Sequence, residues 1–199
     1  MKRVTSAMLF CLFSAGLALA VEDPSNVART KAGAQFSVGY LYQGSQSMFG
    51  GGSFGMNGGG ADLLWPIIRH LGLVGEFSGV HSGSVPLSAT GLTLLTYMAG
   101  TRLSMTLRST HETGKITPFA QILFGGVHGS GGAFPKGLSL SSTANAFAMS
   151  AGGGMQVGLN RLVDLRVIQA EYLYTRLPNS FDNYQSSYRI GASVVLRLR

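Results

Sequence analysis

The residues best suited to chemistry are a histidine and a serine two positions apart, in His128-Gly129-Ser130. A serine hydroxyl becomes a nucleophile when a base lies within hydrogen-bonding reach, and imidazole is a common base. This pair could therefore support ester hydrolysis. The segment that follows offers no aspartate or glutamate to orient the imidazole. Because His-x-Ser is a common tripeptide, a histidine beside a Gly/Ser-rich loop is the favoured interpretation.

Other candidate ligands for a metal are scattered. His81 and His128 could both lie at one end of the protein, but no acidic partner accompanies them. His111, Glu112 and Asp164 fall in predicted turns, where we expect solvent-exposed side chains. We therefore expect neither a metal site nor a cofactor.

A second set of polar residues alternates with apolar ones, and alternation of this kind predicts strands with one polar and one apolar face. This set consists of Glu76, Arg102, Gln121, Gln156, Gln169, Glu171, Arg189 and Arg197. Opposite charges that share a dry interior must pair or be costly. From strand order and height, the sequence predicts the pairs Glu76–Arg102 and Glu171–Arg189.

Eight segments of about nine to eleven residues carry the alternating pattern, the length of a membrane-spanning strand. They lie at 34–42, from about 53, and at 71–80, 94–105, 116–127, 146–158, 165–175 and 188–198. Only 12% of residues are charged and the mean hydropathy is +0.25, yet no apolar run in these segments is long enough for a membrane helix. A membrane β-barrel reconciles these observations, because only alternate residues face lipid. The predicted fold is an eight-stranded antiparallel up-and-down transmembrane β-barrel.

The connections alternate in length. Short ones, WPIIRH, RSTHETG and LNRLV, are predicted to be periplasmic, and longer ones at 43–53, 82–92, 129–144 and 177–186 are predicted to be outer loops. Such outer loops could meet an extracellular ligand. Eight strands enclose an interior that side chains just fill, so we expect a narrow lumen filled by polar side chains.

The glycine-rich stretch FGGGSFGMNGGGADLLW, residues 49–65, is interpreted as the end of the first outer loop followed by the second strand. It lacks the Lys-Ser/Thr of a phosphate-binding loop. The predicted orientation places Asn57, Gly59 and Ala61 towards the lumen and Met56, Gly58 and Gly60 outward. Bulky residues at Gly59 should then impair folding, and those at Gly51 should not.

The N-terminal sequence MKRVTSAMLFCLFSAGLALA has two basic residues, an apolar core and a small-residue ending. These features predict a secretory signal peptide at 1–20, followed by a short periplasmic segment at 21–33 and the barrel domain at 34–199. Removal of Lys2 and Arg3 lowers the net charge from +7 to +5. The remaining basic residues are dispersed, so a nucleic-acid partner is not expected.

Aromatic residues fall near predicted strand ends, where membrane–water interfaces favour them. Tyr40, Tyr42, Tyr172 and Tyr174 are predicted at the outer interface and Trp65 at the inner one. Ordinary enrichment of aromatics in β-sheets is the alternative.

Several segments resemble the small OmpA/OmpX-like outer-membrane β-barrel family. They are IIRHLGLVGEFSGVHS, TPFAQILFGGVH, NAFAMSAGGGMQVGLNRLVDLRVIQAEYLYTR and RIGASVVLRLR. The resemblance implies an integral outer-membrane protein that contacts lipid and lipopolysaccharide and is inserted by the barrel-assembly machinery. Members usually end on an aromatic residue, whereas this chain ends Leu198-Arg199. Fold alone does not fix an activity.

Four functional hypotheses follow. The first is a structural or surface-interaction barrel in the outer membrane that is not an enzyme. The second and third, also within the membrane, are a hydrolase that modifies lipid A through His128 and Ser130, and a small pore. The fourth is a soluble, lipocalin-like carrier, which would need a polar outer face that the alternating segments do not provide.

Overall fold

All eight predicted strands form. The computed structural model describes residues 33–46, 53–83, 91–107, 114–136, 139–177 and 184–198. The strands are β1 (Gln35–Gln46), β2 (Ser53–Pro66), β3 (Leu71–Ser82), β4 (Leu92–Ser104), β5 (Ile116–Lys136), β6 (Ser139–Gly158), β7 (Val163–Thr175) and β8 (Gln185–Arg197). No helix within the described ranges is long and apolar enough to cross a membrane.

The sheet closes on itself. Each strand pairs antiparallel with its neighbours in the sequence, and β1 also pairs with β8. Closure satisfies the hydrogen-bonding groups that an open sheet would leave at its edges. The predicted up-and-down barrel is therefore confirmed. We call the end with connections 67–70, 105–115 and 159–162 the inner end, and the opposite end the outer end.

Most side chains lie on the face that strict alternation in the sequence predicts. In β3, Val74, Glu76 and Ser78 are buried, whereas the intervening Leu73 and Phe77 are more than half exposed. The inward face thus carries the charged and polar side chains, and the outward face carries large apolar ones. The sequence predicts this division correctly for the residues assigned in every strand except β2.

Strand β7 departs from simple alternation because it contains a bulge. The register with β8 shifts between Arg166 and Gln169. Val167 and Ile168 are consecutive and both exposed, while Arg166 and Gln169 on either side of them are buried. A bulge places two residues opposite one and re-aims the neighbouring side chains. Here it turns two polar side chains into the interior.

The predicted orientation of β2 is wrong. Met56 is fully buried and Asn57 is exposed, so Met56, Gly58 and Gly60 occupy inward positions and Asn57, Gly59 and Ala61 outward ones. The glycines carry no side chain that could set the orientation. It is set instead at the inner end of the strand, where Asp62 is buried and Trp65 is exposed.

This orientation changes which glycine is indispensable. A Cβ at Gly58 would lie 1.9 Å from the carbonyl oxygen of Gly79, whereas one at Gly59 would lie 3.1 Å from that of Gly39. We therefore expect bulky residues to impair folding at Gly58 rather than at Gly59. Gly51 lies outside the described residues.

We expect Gly58→Ala to destabilise the folded barrel by about 1–3 kcal/mol, because the backbone of β3 must move to admit the methyl group. Gly75→Ala is the matched control, since a Cβ there meets nothing within 4 Å; its effect should stay within about 0.5 kcal/mol. Urea unfolding in lipid vesicles, followed by fluorescence of Trp65, measures both. Equal losses for the two variants would show that the contact with Gly79 does not restrict residue 58.

The predicted outer loop at 129–144 is also wrong. Strand β5 continues to Lys136 and β6 begins at Ser139, so this region forms a long hairpin. Its register shifts between Ser130 and Phe134, and Gly131 adopts a φ of 83°. Glycine populates this left-handed region readily, which permits the irregularity without ending the strands. Most residues of each of the other three predicted loops lie outside the described part of the chain.

Candidate functional site

Six ionised side chains converge inside the barrel. Three are carboxylates and three are guanidinium groups, so their formal charges cancel, and each residue is at most 7% exposed. We call this set the charge layer: Asp62, Glu76, Glu171, Arg102, Arg166 and Arg189. Because ions are costly to bury, each must be compensated by a partner of opposite charge.

Asp62 joins two of the arginines. Its carboxylate lies 2.6 Å from Arg166 Nη1 and 3.2 Å from Arg102 Nη2, and it also accepts a hydrogen bond from the hydroxyl of Ser37. Both guanidinium groups also lie over the ring of Phe119, at 4.6 and 5.1 Å from its centroid. Such cation–π contacts strengthen when desolvated. One carboxylate thus forms ion pairs with two arginines, from β4 and β7.

Arg189 joins the other two carboxylates. Its Nη2 donates to Glu76 Oε1 at 2.6 Å and to the hydroxyl of Ser78 at 3.0 Å, and its Nη1 lies 3.5 Å from Glu171 Oε2. The pairing of Glu171 with Arg189 is as expected. The expected pair of Glu76 with Arg102 does not form, since Arg102 reaches Asp62 instead.

The register explains this difference. Arg102 lies opposite Gly72 on β3, four residues from Glu76 along that strand, a separation of about 13 Å. The long side chain of Arg102 passes over β3 to Asp62 on β2. Glu76 is approached instead from across the lumen by Arg189.

Two glutamines connect the ion pairs into one network. Gln121 accepts from Arg102 Nε at 2.7 Å and donates to Glu171. Gln169 accepts from Arg166 Nη1 at 2.6 Å and donates to Glu171 at 2.7 Å. An amide has both a donor and an acceptor, so it can bridge a cation and an anion. The network is therefore continuous from Asp62 to Glu76.

The other two polar residues predicted for the lumen lie apart from this network. Gln156 is buried on β6. Arg197 lies at the inner end of β8, where its Nε and Nη2 donate to both carboxylate oxygens of Asp164, at 2.9 and 2.6 Å. Its side chain is 22% exposed. This pair links β7 to β8 at the inner rim.

Towards the outer end the interior is mixed, since buried apolar side chains join polar ones such as Gln43, Thr96 and Thr175; the expected polar filling is therefore only part of the lumen. The buried apolar residues on this side include Leu41, Met56, Val80, Leu92, Leu94, Met98, Val127, Leu173 and Leu177. Within the charge layer a cavity of about 30 Å³ is lined by Asp62, Glu76, Arg166 and Arg189, enough for about two waters. The lumen is thus blocked by ion pairs and by a packed apolar layer.

Two residues explain why the sequence predicted the network incompletely. Asp62 follows a run of glycines whose predicted orientation is wrong, and Arg166 precedes a bulge that places it on the inward face although it is out of step with Gln169 and Glu171. The detectable signal for Asp62 was charge balance. The predicted inward set holds three arginines, Arg102, Arg189 and Arg197, but only two carboxylates, Glu76 and Glu171.

The predicted interfacial aromatics lie on the outward face. Tyr40, Trp65 and Tyr172 are 58%, 65% and 51% exposed. Tyr42 and Tyr174 are half-buried, because each packs beside another tyrosine. The ring of Tyr42 lies 6.2 Å from that of Tyr188, and Tyr174 lies 6.3 Å from Tyr184.

His128 and Ser130 occupy outward positions on β5. The Nδ1 of His128 lies 2.7 Å from Asn145 Oδ1 on β6, so an amide rather than a carboxylate orients the imidazole. Ser130 lies opposite Thr93 on β4. Within the described part of the chain no three potential metal ligands gather.

The pair of His128 and Asn145 is one of four similar pairs. Every hairpin that points to the outer end carries one hydrogen bond between outward-facing polar side chains of its two strands. The pairs are Tyr40–Asn57, His81–Thr93, His128–Asn145 and Tyr172–Ser186. This recurrence favours a structural role for His128, as a cross-strand pair.

Comparisons with known proteins identify the architecture. No protein-family model and no curated protein sequence matches the chain. Neisserial surface protein A is similar in structure, with a TM-score of 0.58 and 16% identity over 83% of this chain and 97% of that one. Ail of Yersinia pestis gives a TM-score of 0.47 at 16% identity, covering 82% and 98%. OprG from Pseudomonas aeruginosa gives 0.48 at 8%, covering 84% and 97%.

Of these three structures, the first alone has a TM-score above 0.5. This chain covers 97% of that structure, and the sequence identity of 16% supports a conclusion about the fold alone. The resemblance to the small OmpA/OmpX-like proteins is therefore confirmed for the fold, and this chain is an eight-stranded barrel of the kind found in small outer-membrane proteins.

Proposed function

We propose that the chain is an integral outer-membrane protein whose closed barrel anchors outer hairpins that meet molecules at the cell surface. One observation carries the proposal: the barrel is apolar outside and ionic inside. Each strand exposes at least one large apolar side chain, among them Phe36, Leu63, Phe77, Tyr97, Phe124, Phe147, Ile168 and Ile190. A soluble protein rarely exposes so continuous an apolar surface.

The same observation argues against a soluble carrier. A lipocalin-like barrel encloses an apolar ligand cavity beneath a polar exterior. Here Arg102, Arg166 and Arg189 are buried while Trp65 and Phe77 are exposed. Lipid is the environment that suits this arrangement, since alternate residues of a transmembrane strand face acyl chains.

Cell fractionation tests the location. We expect the protein in the outer-membrane fraction, with an electrophoretic mobility that changes on heating, because the folded barrel resists unfolding by detergent. The predicted signal peptide at 1–20 and the barrel-assembly machinery would deliver it there. Recovery from the soluble periplasm, with no change in mobility on heating, would contradict the proposal.

The closed lumen supports an interaction role over transport. The charge layer and the apolar layer fill the interior of the described barrel, and the cavity between the ion pairs measures about 30 Å³. The outer surface then becomes the functional region, including the long hairpin of β5 and β6 that continues to Lys136 and Ser139. A ligand at this surface and contact with lipopolysaccharide are part of this proposal.

We also propose that the barrel does not hydrolyse lipid A. The support is the partner of His128, which is the neutral Asn145 at 2.7 Å. An activating triad needs a base that is itself oriented for proton transfer towards the serine. We expect Ser130→Ala to leave the acylation of lipid A unchanged in cells that overproduce the protein. Loss of a deacylated species in that variant, compared with wild type, would establish the hydrolase instead.

A further inference from the structure

The inner end contains a turn with a distinctive backbone design. Between β2 and β3, the amide groups of Ile67 and Ile68 both donate to the carbonyl oxygen of Leu71, each at 3.0 Å. This tight arrangement holds Arg69 at the third position of the turn, on its exposed side.

The same design recurs between β6 and β7. There the amides of Leu159 and Asn160 both donate to the carbonyl oxygen of Val163, each at 3.1 Å. Arg161 takes the third position and is also exposed. The two turns lie on opposite sides of the barrel, and each presents an arginine in an equivalent position.

These two arginines differ from Arg102, Arg166, Arg189 and Arg197, each of which pairs with a carboxylate. Neither Arg69 nor Arg161 has a carboxylate or a hydrogen-bond acceptor among the described residues, whereas Arg197 at the same rim is paired with Asp164. The guanidinium groups are thus available to an anion. A guanidinium binds phosphate oxygens through two parallel hydrogen bonds.

Large apolar side chains surround each arginine. Ile67 and Ile68 are 55% and 52% exposed, and Leu159 and Leu162 are 49% and 53% exposed. Next to the first turn, Trp65 is 65% exposed. Apolar and aromatic groups beside a cation are typical of a membrane interface. There the aliphatic part of a basic side chain contacts acyl chains and its charge reaches the headgroups.

We infer that the two inner turns bind the headgroups of anionic phospholipids in the inner leaflet. Arg69 and Arg161 contact the phosphates, and the neighbouring isoleucines and leucines contact the acyl chains. Lys115, at the end of the inner connection 105–115, adds a further positive charge at this rim. This inference rests on the proposed membrane location and assigns the inner end a preferred lipid class.

Trp65 permits a local test, because it is the single tryptophan of the chain and lies beside the first turn. The barrel is refolded in vesicles of phosphatidylcholine that contain brominated phosphatidylglycerol or brominated phosphatidylcholine, and quenching of the tryptophan fluorescence is measured. For the wild type we expect phosphatidylglycerol to associate about fivefold more strongly, the usual effect of one basic residue near anionic lipid.

Arg69→Gln should abolish this preference, while Arg161→Gln, the same change in the equivalent turn across the barrel, should leave it intact. An unchanged preference in Arg69→Gln would overturn the inference. An equal loss in both variants would also overturn it, because net charge rather than a local site would then be responsible. Absence of quenching by either brominated lipid would instead contradict the proposed membrane insertion.

Discussion

Replacing Asp62 with asparagine is expected to destabilise the folded barrel by about 3–5 kcal/mol, the usual cost of removing one partner from a buried ion pair. The substitution preserves shape and removes only the charge. Asp62 lies 2.6 Å from Arg166 and 3.2 Å from Arg102. Its loss therefore leaves two guanidinium groups in the interior without their principal counter-charge.

Asp164→Asn is the matched control for this prediction. Asp164 also binds an arginine through two hydrogen bonds, but its partner Arg197 is 22% exposed at the inner rim. Solvent compensates a partly exposed charge, so we expect a loss of only about 1 kcal/mol. Urea unfolding of both variants in lipid vesicles gives the two free energies. A loss for Asp62→Asn no greater than for the control would mean that water already solvates the charge layer.

Glu76 and Arg189 are expected to show strong energetic coupling. Either single change, Glu76→Gln or Arg189→Met, should cost about 3–5 kcal/mol because it strands an opposite charge in the interior. The double variant should cost much less than the sum of the two single losses, because both charges of the pair are then removed together. The contact of 2.6 Å between Glu76 and Arg189 is the reason.

A second cycle between Glu76 and Arg102 distinguishes this structure from the pairing that the sequence predicted. Arg102 binds Asp62 and Gln121 instead, so its coupling to Glu76 should be weak. Both cycles use the same unfolding measurement. Stronger coupling of Glu76 to Arg102 than to Arg189 would show that the ion pairs of the charge layer are assigned incorrectly.

The barrel itself was predictable because its signal is redundant. Every strand repeats the alternation several times, so single exceptions such as the bulge after Arg166 do not obscure it. Closure then follows because an open sheet would leave unpaired backbone groups at its edges in lipid. The exact extent of β5 and β6 was not predictable, since Ser, Gly and Pro at 130–136 are typical of loops as well.

The interior was predictable in part, since most inward residues and the pair Glu171–Arg189 follow from the sequence, whereas Asp62, Arg166 and the other pairs do not. Alternation places Glu76, Arg102 and Arg189 on the inward face. It carries no information on which of them meet, because long side chains from strands that are not neighbours converge across the lumen. Asp62 binds Arg166 although the two are 104 residues apart in the sequence. Contacts of this kind depend on barrel closure and strand stagger.

Planar-bilayer recording of the purified protein tests most directly whether this membrane barrel has a closed lumen. After insertion is verified by heat-modifiable mobility, we predict no stable conductance steps, because the charge layer and the apolar layer block ion passage. Two variants serve as comparisons in the same recording. Asp62→Asn loosens the charge layer, and Gly75→Ala leaves it intact. Reproducible, long-lived conductance steps from the wild-type protein would contradict the account.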